Sequence, residues 1–151
     1  MRKARYMSIF SAAEAPLSLD LLILPETSLL SLAAVMEPMR GANRVAGREF
    51  FRWRLLSPDG RAAESSSGLP IAVSGAFDPA TKADGLIVFS SFNVDRHGTR
   101  QVLAFLRRIA RRGLPIGGVE AGSWLMARAG LLDGRRATTH WEDLEAFAEA
   151  H

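Results

Sequence analysis

The stretch LPIGGVEAGSWLMARAG, residues 114–130, decides the fold. It begins as a short apolar run that ends in glycines and continues with the composition of a helix. Gly117, Gly118 and Gly122 allow one backbone segment to approach another closely where a strand turns into a helix. We therefore predict a sharp strand-to-helix elbow with Glu120 at the turn.

Strand-like and helix-like segments alternate through the rest of the chain. Apolar or alternating runs predict strands at 19–25, 50–57, 83–91 and 114–120. Periodic apolar residues predict helices at 27–47, 99–112, 121–132 and 140–151. Residues 58–68 and 92–98 are predicted loops, and 69–77 a short extended segment. In the first helix, Thr27 or Ser28 should form the N-cap, and Pro38 should end or kink the helix.

This order predicts an α/β fold with a mainly parallel, doubly wound sheet and helices on both faces. In such sheets ligands bind at the carboxyl ends of the strands, here the loops after Leu24, Ser91 and Val119. We predict one domain over residues 17–151 and a flexible N-terminal tail over residues 1–16. Because no strand follows the last helix, we also predict that the sheet is incomplete at the C-terminus.

Composition narrows the function classes. The chain has 151 residues, 48% of them apolar and 23% charged, with a net charge of +3 and no cysteine. Disulfides, thiolate metal sites and a cysteine nucleophile are therefore excluded. No apolar run approaches the ~18 residues of a membrane span. His97, His140 and His151 lack the spacing of metal ligands, and the arginines of 107–112 read as a solvated helix face. We expect no metal, no cofactor and no membrane contact.

Glu120 is the central candidate site residue, with two readings. It is either a carboxylate stabilised by the amides at a helix start, or a ligand-binding carboxylate suited to a cation. Trp124 lies one helical turn further on, and Trp141 follows His140. Indole faces beside a carboxylate bind ammonium and guanidinium groups, although core packing explains either tryptophan equally well.

The remaining candidates are polar. His140 is a possible acid, base or hydrogen-bonding group, or a structural residue at a helix start. Ser91, Phe92 and Asn93 follow a buried strand and offer polar groups to a ligand, or form an ordinary loop. Ser123 comes three residues after Glu120, which is not the spacing of a serine nucleophile elbow, so serine hydrolysis is disfavoured.

GGVEAGSWLMARAGLLDGRRATTHWE, residues 117–142, strongly resembles the elbow region of the amidotransferase-like (PfpI-like) N-terminal domain of AraC-family transcriptional regulators. Residues 21–47 and 50–60 are similar to that family's first strand-helix unit and second strand. The resemblance covers about residues 18–151. It implies a flavodoxin-like three-layer sandwich.

The resemblance also implies roles. Enzyme relatives carry a cysteine at the elbow, a nearby histidine and an acidic partner after the first strand. Here Glu120 takes the elbow, His140 matches the histidine, and Ser31 falls near the place of the acidic partner. These differences imply a catalytically inactive, effector-sensing domain. In carrying a carboxylate at the elbow, the chain resembles the regulators of glycine betaine, carnitine and arginine catabolism. The resemblance implies that its effector, like theirs, is a small cationic metabolite.

On this hypothesis Glu120 pairs with the cation, while Trp124 and Trp141 form walls. His140 and residues 91–93 bind the polar end of the ligand. The family further implies a cytoplasmic homodimer that binds DNA through a C-terminal helix-turn-helix domain absent from this chain. Two alternatives stay open: an amidase- or glyoxalase-like enzyme of the PfpI superfamily, and a dimerisation module with a vestigial pocket.

Overall fold

A five-stranded sheet in which all neighbouring strands are parallel runs through the centre of the computed structural model, which describes residues 16–151. Its strands are β1 (Leu17–Ile23), β2 (Phe51–Ser57), β5 (Gly75–Ala76), β6 (Gly85–Ser90) and β7 (Ile116–Glu120). Their order in the sheet is β5-β2-β1-β6-β7. A separate antiparallel pair consists of β3 (Ala63–Glu64) and β4 (Pro70–Ile71). The tail predicted for 1–16 lies, except for its last residue, outside the described residues.

Helices cover both faces of this sheet. They are α1 (Leu29–Ala46), α2 (Val94–His97), α3 (Arg100–Arg111), α4 (Gly122–Arg128) and α5 (Leu144–Ala150), with a 3-10 turn at Trp141–Asp143. Side chains of β1 and of the residue after it alternate between two cores: Leu19, Leu21 and Ile23 pack with α1, whereas Leu22 and Leu24 pack with α3 and α4. The flavodoxin-like three-layer α/β sandwich is therefore confirmed. None of the helices within 16–151 is long and apolar enough to cross a membrane.

The first helix corrects one expectation. Ser28 caps it as predicted, because its hydroxyl accepts a hydrogen bond from the amide of Ser31, and Gly47 ends it in a left-handed conformation. The helix does not end at Pro38 but continues to Ala46. Pro38 has no amide hydrogen to donate, so the carbonyl of Ala34 lacks its helical hydrogen bond. Both residues lie on the exposed face of the helix. Water can therefore reach that carbonyl and reduce the usual cost of an internal proline.

Shorter elements also differ from the expectations. The predicted loop at 92–98 contains the four-residue helix α2, and the predicted loop at 58–68 contains β3. The last predicted helix begins as a 3-10 turn before α5. Such short elements are formed by tertiary contacts and leave no periodic pattern in the sequence.

A buried carboxylate on β1 joins two central strands of the sheet. Asp20 of β1 is 1% exposed and accepts two hydrogen bonds from Arg54 Nη2, at 2.9 and 3.0 Å, and one from Nε at 3.0 Å. The hydroxyl of Thr81 donates to the other side of the carboxylate, at 2.6 Å. Since Arg54 is the direct neighbour of Asp20 in the register of β1 and β2, the pair joins two central strands.

We predict that Arg54→Met destabilises the chain by about 2–3 kcal/mol, because it leaves a buried carboxylate with only a hydroxyl donor. This loss is at the low end for a broken buried pair, since the Arg54 side chain is 51% exposed and water can replace part of its contact. Arg52→Met is the matched control, because Arg52 lies on the same strand and pairs with Glu49 at the surface. It should cost less than about 1 kcal/mol. Urea denaturation of the three proteins measures both values, and equal losses would contradict the prediction.

Candidate functional site

The elbow predicted from the glycines is present at the end of β7. Glu120 is the last residue of the strand and has a left-handed backbone, with φ 53°. The next amide, of Ala121, donates to the carbonyl of Ser90 at 2.8 Å, and α4 begins at Gly122. A Cβ on Gly122 would overlap the carbonyl oxygen of Val88. Only glycine therefore permits this approach of α4 to β6.

Backbone strain is concentrated at this edge of the sheet. Within residues 16–151, the non-glycine residues with positive φ are Glu26, Asn93 and Glu120. Glu26 follows β1, Asn93 follows β6 and Glu120 ends β7, and these three strands are neighbours in the sheet. The carboxyl ends of parallel strands meet at one edge, so the three residues surround one region. Left-handed backbone in non-glycine residues costs about 1–3 kcal/mol each and clusters at functional sites.

A cavity of about 470 Å³ opens at this edge. It is formed by the loop after β1 and the start of α1, the loop between β3 and β4, the loop after β6, the elbow, and the 3-10 turn before α5. The lining residues are Ser28, Leu30, Ser66, Ser91, Phe92, Asn93, Val94, Glu120, His140, Glu142 and Asp143. A larger hollow of about 660 Å³ lies at the opposite end of β7, but it contains none of the predicted site residues.

The cavity is acidic. Glu120, Glu142 and Asp143 line it, and none of the described residues that line it is lysine or arginine. The side-chain carboxylate of Glu120 accepts a hydrogen bond from the hydroxyl of Ser31 on α1. His140 Nδ1 lies 3.6 Å from the carboxylate of Glu142. An anionic group would meet repulsion here, whereas a cation would be attracted.

A fourth carboxylate stands beside this cavity. Glu26 lines a small neighbouring hollow together with Ser66, Phe92 and Asn93, which also line the acidic cavity. Hydrogen bonds from the Asn93 side chain and then from His97 lower the pKa of Glu26, because both stabilise its ionised form. Because its pKa is lowered, Glu26 keeps its negative charge to a lower pH than an ordinary glutamate.

The structure brings most of the predicted site residues together. Glu120, Ser91, Phe92, Asn93 and His140 all line the cavity. Ser31 reaches the site through its hydrogen bond to Glu120.

The two tryptophans do not join them. Trp124 packs edge-on against Phe147 of α5, with ring centroids 5.2 Å apart, and Trp141 is 73% exposed with its ring beside His140. The prediction that Trp124 and Glu120 share one face of a helix was wrong. Glu120 ends a strand in a left-handed conformation and does not belong to α4. Phe92 is the aromatic residue that lines the cavity.

Sequence reasoning missed three acidic residues. Glu142 and Asp143 directly follow the predicted His140 and Trp141, and Glu26 directly follows the proline that ends the first apolar run. A count of carboxylates within the predicted ligand-edge loops would have found Glu26. Nothing local indicates that residues 142 and 143 share a cavity with Glu120, because α4 and an irregular segment separate them along the chain.

Comparison with known proteins shows the family of this chain. The model of the DJ-1/PfpI family matches residues 29–150. The chain belongs to the DJ-1/PfpI family. Among its relatives is the HTH-type transcriptional regulator GbdR of Pseudomonas aeruginosa, 44% identical over 135 residues, which are 89% of this chain and 37% of GbdR. The HTH-type transcriptional regulator CdhR of the same species is 41% identical over 130 residues, covering 86% of this chain and 38% of CdhR.

A solved structure agrees with this placement within the DJ-1/PfpI family. The AraC family transcriptional regulator from Pseudomonas putida is 26% identical and superposes with a TM-score of 0.78. The match covers 89% of this chain and 72% of the solved one. The chain thus spans less than two fifths of the length of GbdR and CdhR. What it shares with these regulators is their DJ-1/PfpI domain.

We predict that Gly122→Ala destabilises the chain by about 1–3 kcal/mol or more, because the new methyl group meets the backbone of β6 and neither element can yield without losing its packing. Gly117→Ala is the control on the same strand, since a Cβ there has nothing within 4 Å. It should leave stability unchanged or raise it by up to about 1 kcal/mol. Thermal and urea unfolding measure both effects. A Gly122→Ala protein as stable as the parent would show that the elbow tolerates a wider approach.

Proposed function

We propose that this chain is the effector-sensing domain of a transcriptional regulator and that its acidic cavity binds a small cationic metabolite, of the betaine, carnitine or arginine type. The observation that carries the proposal is the lining of the cavity: three carboxylates and no lysine or arginine among the described lining residues. The similarity to HTH-type regulators supports the regulatory part.

In this proposal Glu120 is the principal partner of the cation. The elbow holds its carboxylate over the edge of the sheet, and the hydroxyl of Ser31 orients it. Glu142 and Asp143 add negative charge from a segment far along the chain. The ring of Phe92 offers a face for cation–π attraction, which contributes about 0.5–2 kcal/mol. Trp124 and Trp141 are not needed as walls in this arrangement.

A polar or carboxylate end of the ligand needs hydrogen-bond donors. The hydroxyl of Ser91 accepts from the amide of Ser28 at 2.9 Å, which leaves its own hydrogen free to donate. Ser66 and His140 are further donors on the lining. The Asn93 amide already donates to Glu26, so it contributes shape more than a free donor.

The ligand would regulate by favouring one arrangement of the segments it joins. The cavity is built from five separate segments, so an occupied cavity ties the turn at 141–143 to the loop at 91–94. The shift is limited by the difference in the ligand's affinity for the two arrangements. DNA binding through a part outside this chain, and pairing with a second copy, stay predictions of the family resemblance.

The proposal predicts that at least one cation among glycine betaine, dimethylglycine, carnitine, choline and arginine stabilises the chain. A ligand that binds only the folded state at a hundredfold excess over its Kd adds about 2.7 kcal/mol, which thermal unfolding detects as a raised Tm. Glu120→Gln should abolish this shift, because glutamine keeps an acceptor for Ser31 but removes the charge.

Glu37→Gln is the matched control for this panel. Glu37 is an exposed glutamate of α1 paired with Arg40, so its variant changes the net charge equally without touching the cavity. An equal ligand shift in the parent and in Glu120→Gln would exclude Glu120 as the cation's partner. A parent melt that no panel member moves would contradict the cation site and favour a vestigial pocket.

The enzymatic alternative rests on the strained elbow, which many hydrolases use to present a nucleophile. Here the elbow residue is a carboxylate, and the only hydroxyl bonded to its side chain among the described residues is that of Ser31. Incubation of the parent with simple amides and with dicarbonyls tests this alternative. Turnover that Glu120→Gln abolishes would replace the sensor proposal with a catalytic one.

A further inference from the structure

Glu26 makes an unusual set of contacts for a residue outside the acidic cavity. A single oxygen of its carboxylate, Oε2, accepts from Asn93 Nδ2 at 2.6 Å and lies 2.9 Å from His97 Nε2. His97 is 11% exposed and Glu26 33%, so the contact between them is partly shielded from water, whereas the bond from Asn93 lies at the surface. Glu26 and Asn93 are also two of the three non-glycine residues with a left-handed backbone in the described chain. The tertiary contacts offset the strain of this backbone conformation.

These contacts hold both ends of α2. Asn93 is the N-cap residue of this helix and His97 is its last residue. An asparagine at an N-cap normally bonds its own helix, but the Asn93 side chain makes no capping bond and reaches Glu26 instead. Only the carbonyl of Asn93 serves the helix, accepting from the amides of Arg96 and His97 at 2.9 and 3.1 Å. Four residues do not form a stable helix alone, so α2 depends on outside contacts.

The position of α2 matters because the residues before it form the rim of the cavity. Phe92, Asn93 and Val94 line the acidic cavity, and Phe92 is exposed at its mouth. This loop is tied to the loop after β1 twice, by the Ser28 amide to Ser91 and by Asn93 to Glu26. Phe92 lies between these two bonds. Its place therefore depends on both of them.

We propose that Glu26 is a positioning residue for the cation cavity: by clamping both ends of α2 it sets the rim on which Phe92 faces the ligand. This inference rests on the proposed function of the cavity. Glu26 and His97 act without contacting the ligand, since neither residue lines the acidic cavity. His97 instead lines a second hollow of about 520 Å³, which shares no lining residue with the acidic cavity.

The first arm of the test needs no ligand. Glu26→Ala keeps the same backbone requirement but removes the acceptor, so hydrogen exchange at the amides of Arg96 and His97 should accelerate at least fivefold relative to the parent. Glu26→Gln keeps an acceptor oxygen and should restore most of the protection. Glu37→Ala is the matched control and should leave these amides unchanged. Equal exchange in Glu26→Ala and the parent would overturn the clamp.

The second arm titrates glycine betaine and arginine calorimetrically. Glu26→Ala should weaken the Kd of the cation that binds the parent about tenfold, a change of ~1.4 kcal/mol, while Glu26→Gln should weaken it much less. His97→Ala should act through the same clamp, so Glu26→Ala combined with His97→Ala should be far less than additive. Unchanged affinity in Glu26→Ala, or full additivity in the double variant, would overturn the positioning role.

The two arms separate this inference from the proposed function. If the parent binds neither probe nor any other cation of the five-member panel, the cation site fails, whereas faster exchange in Glu26→Ala still supports the clamp on α2. If the parent binds a probe and Glu26→Ala binds it equally well, the cation site stands and the positioning role of Glu26 is wrong.

Discussion

The contact between Gly122 and the carbonyl of Val88 is the constraint on which the rest of the edge depends. It places the start of α4 directly against β6, and the chain can reach that position only through a sharp turn at Glu120. The turn forces Glu120 into a left-handed conformation and directs a charged side chain over the end of the sheet. The packing of two backbones thus determines where a functional group stands.

Around that carboxylate the charges of the described chain are unevenly distributed. Glu26, Glu120, Glu142 and Asp143 gather at the carboxyl edge, although the chain carries a net charge of +3. At the other end of the sheet, Asp20 is neutralised by Arg54 and supports the fold. None of the described residues that line the acidic cavity is an arginine or lysine that could neutralise these carboxylates in the same way. Carboxylates without an internal countercharge are costly to hold together and are the groups that a cationic ligand stabilises.

Much of the fold was predictable because its signals are local. A nearly continuous apolar run from Leu19 to Leu24, interrupted only by Asp20, indicates a strand buried on both faces, and the structure places it at the centre of the sheet. Glycines around residue 120 predicted the elbow. The failures also have local reasons: Pro38 stays within α1 because its orphaned carbonyl partner, Ala34, faces solvent, and α2 is too short to carry a periodic pattern.

The sequence by itself determined the parallel α/β sandwich, the elbow and the presence of a carboxylate at it, since strand periodicity and glycine act over a few residues. Only the tertiary structure decided which side chains share the site. Trp124 turns towards α5 because Glu120 is not part of its helix, while Glu142 and Asp143 reach the cavity through an irregular segment. Contacts between distant segments depend on how loops close over the sheet, and no local pattern of residues encodes that closure.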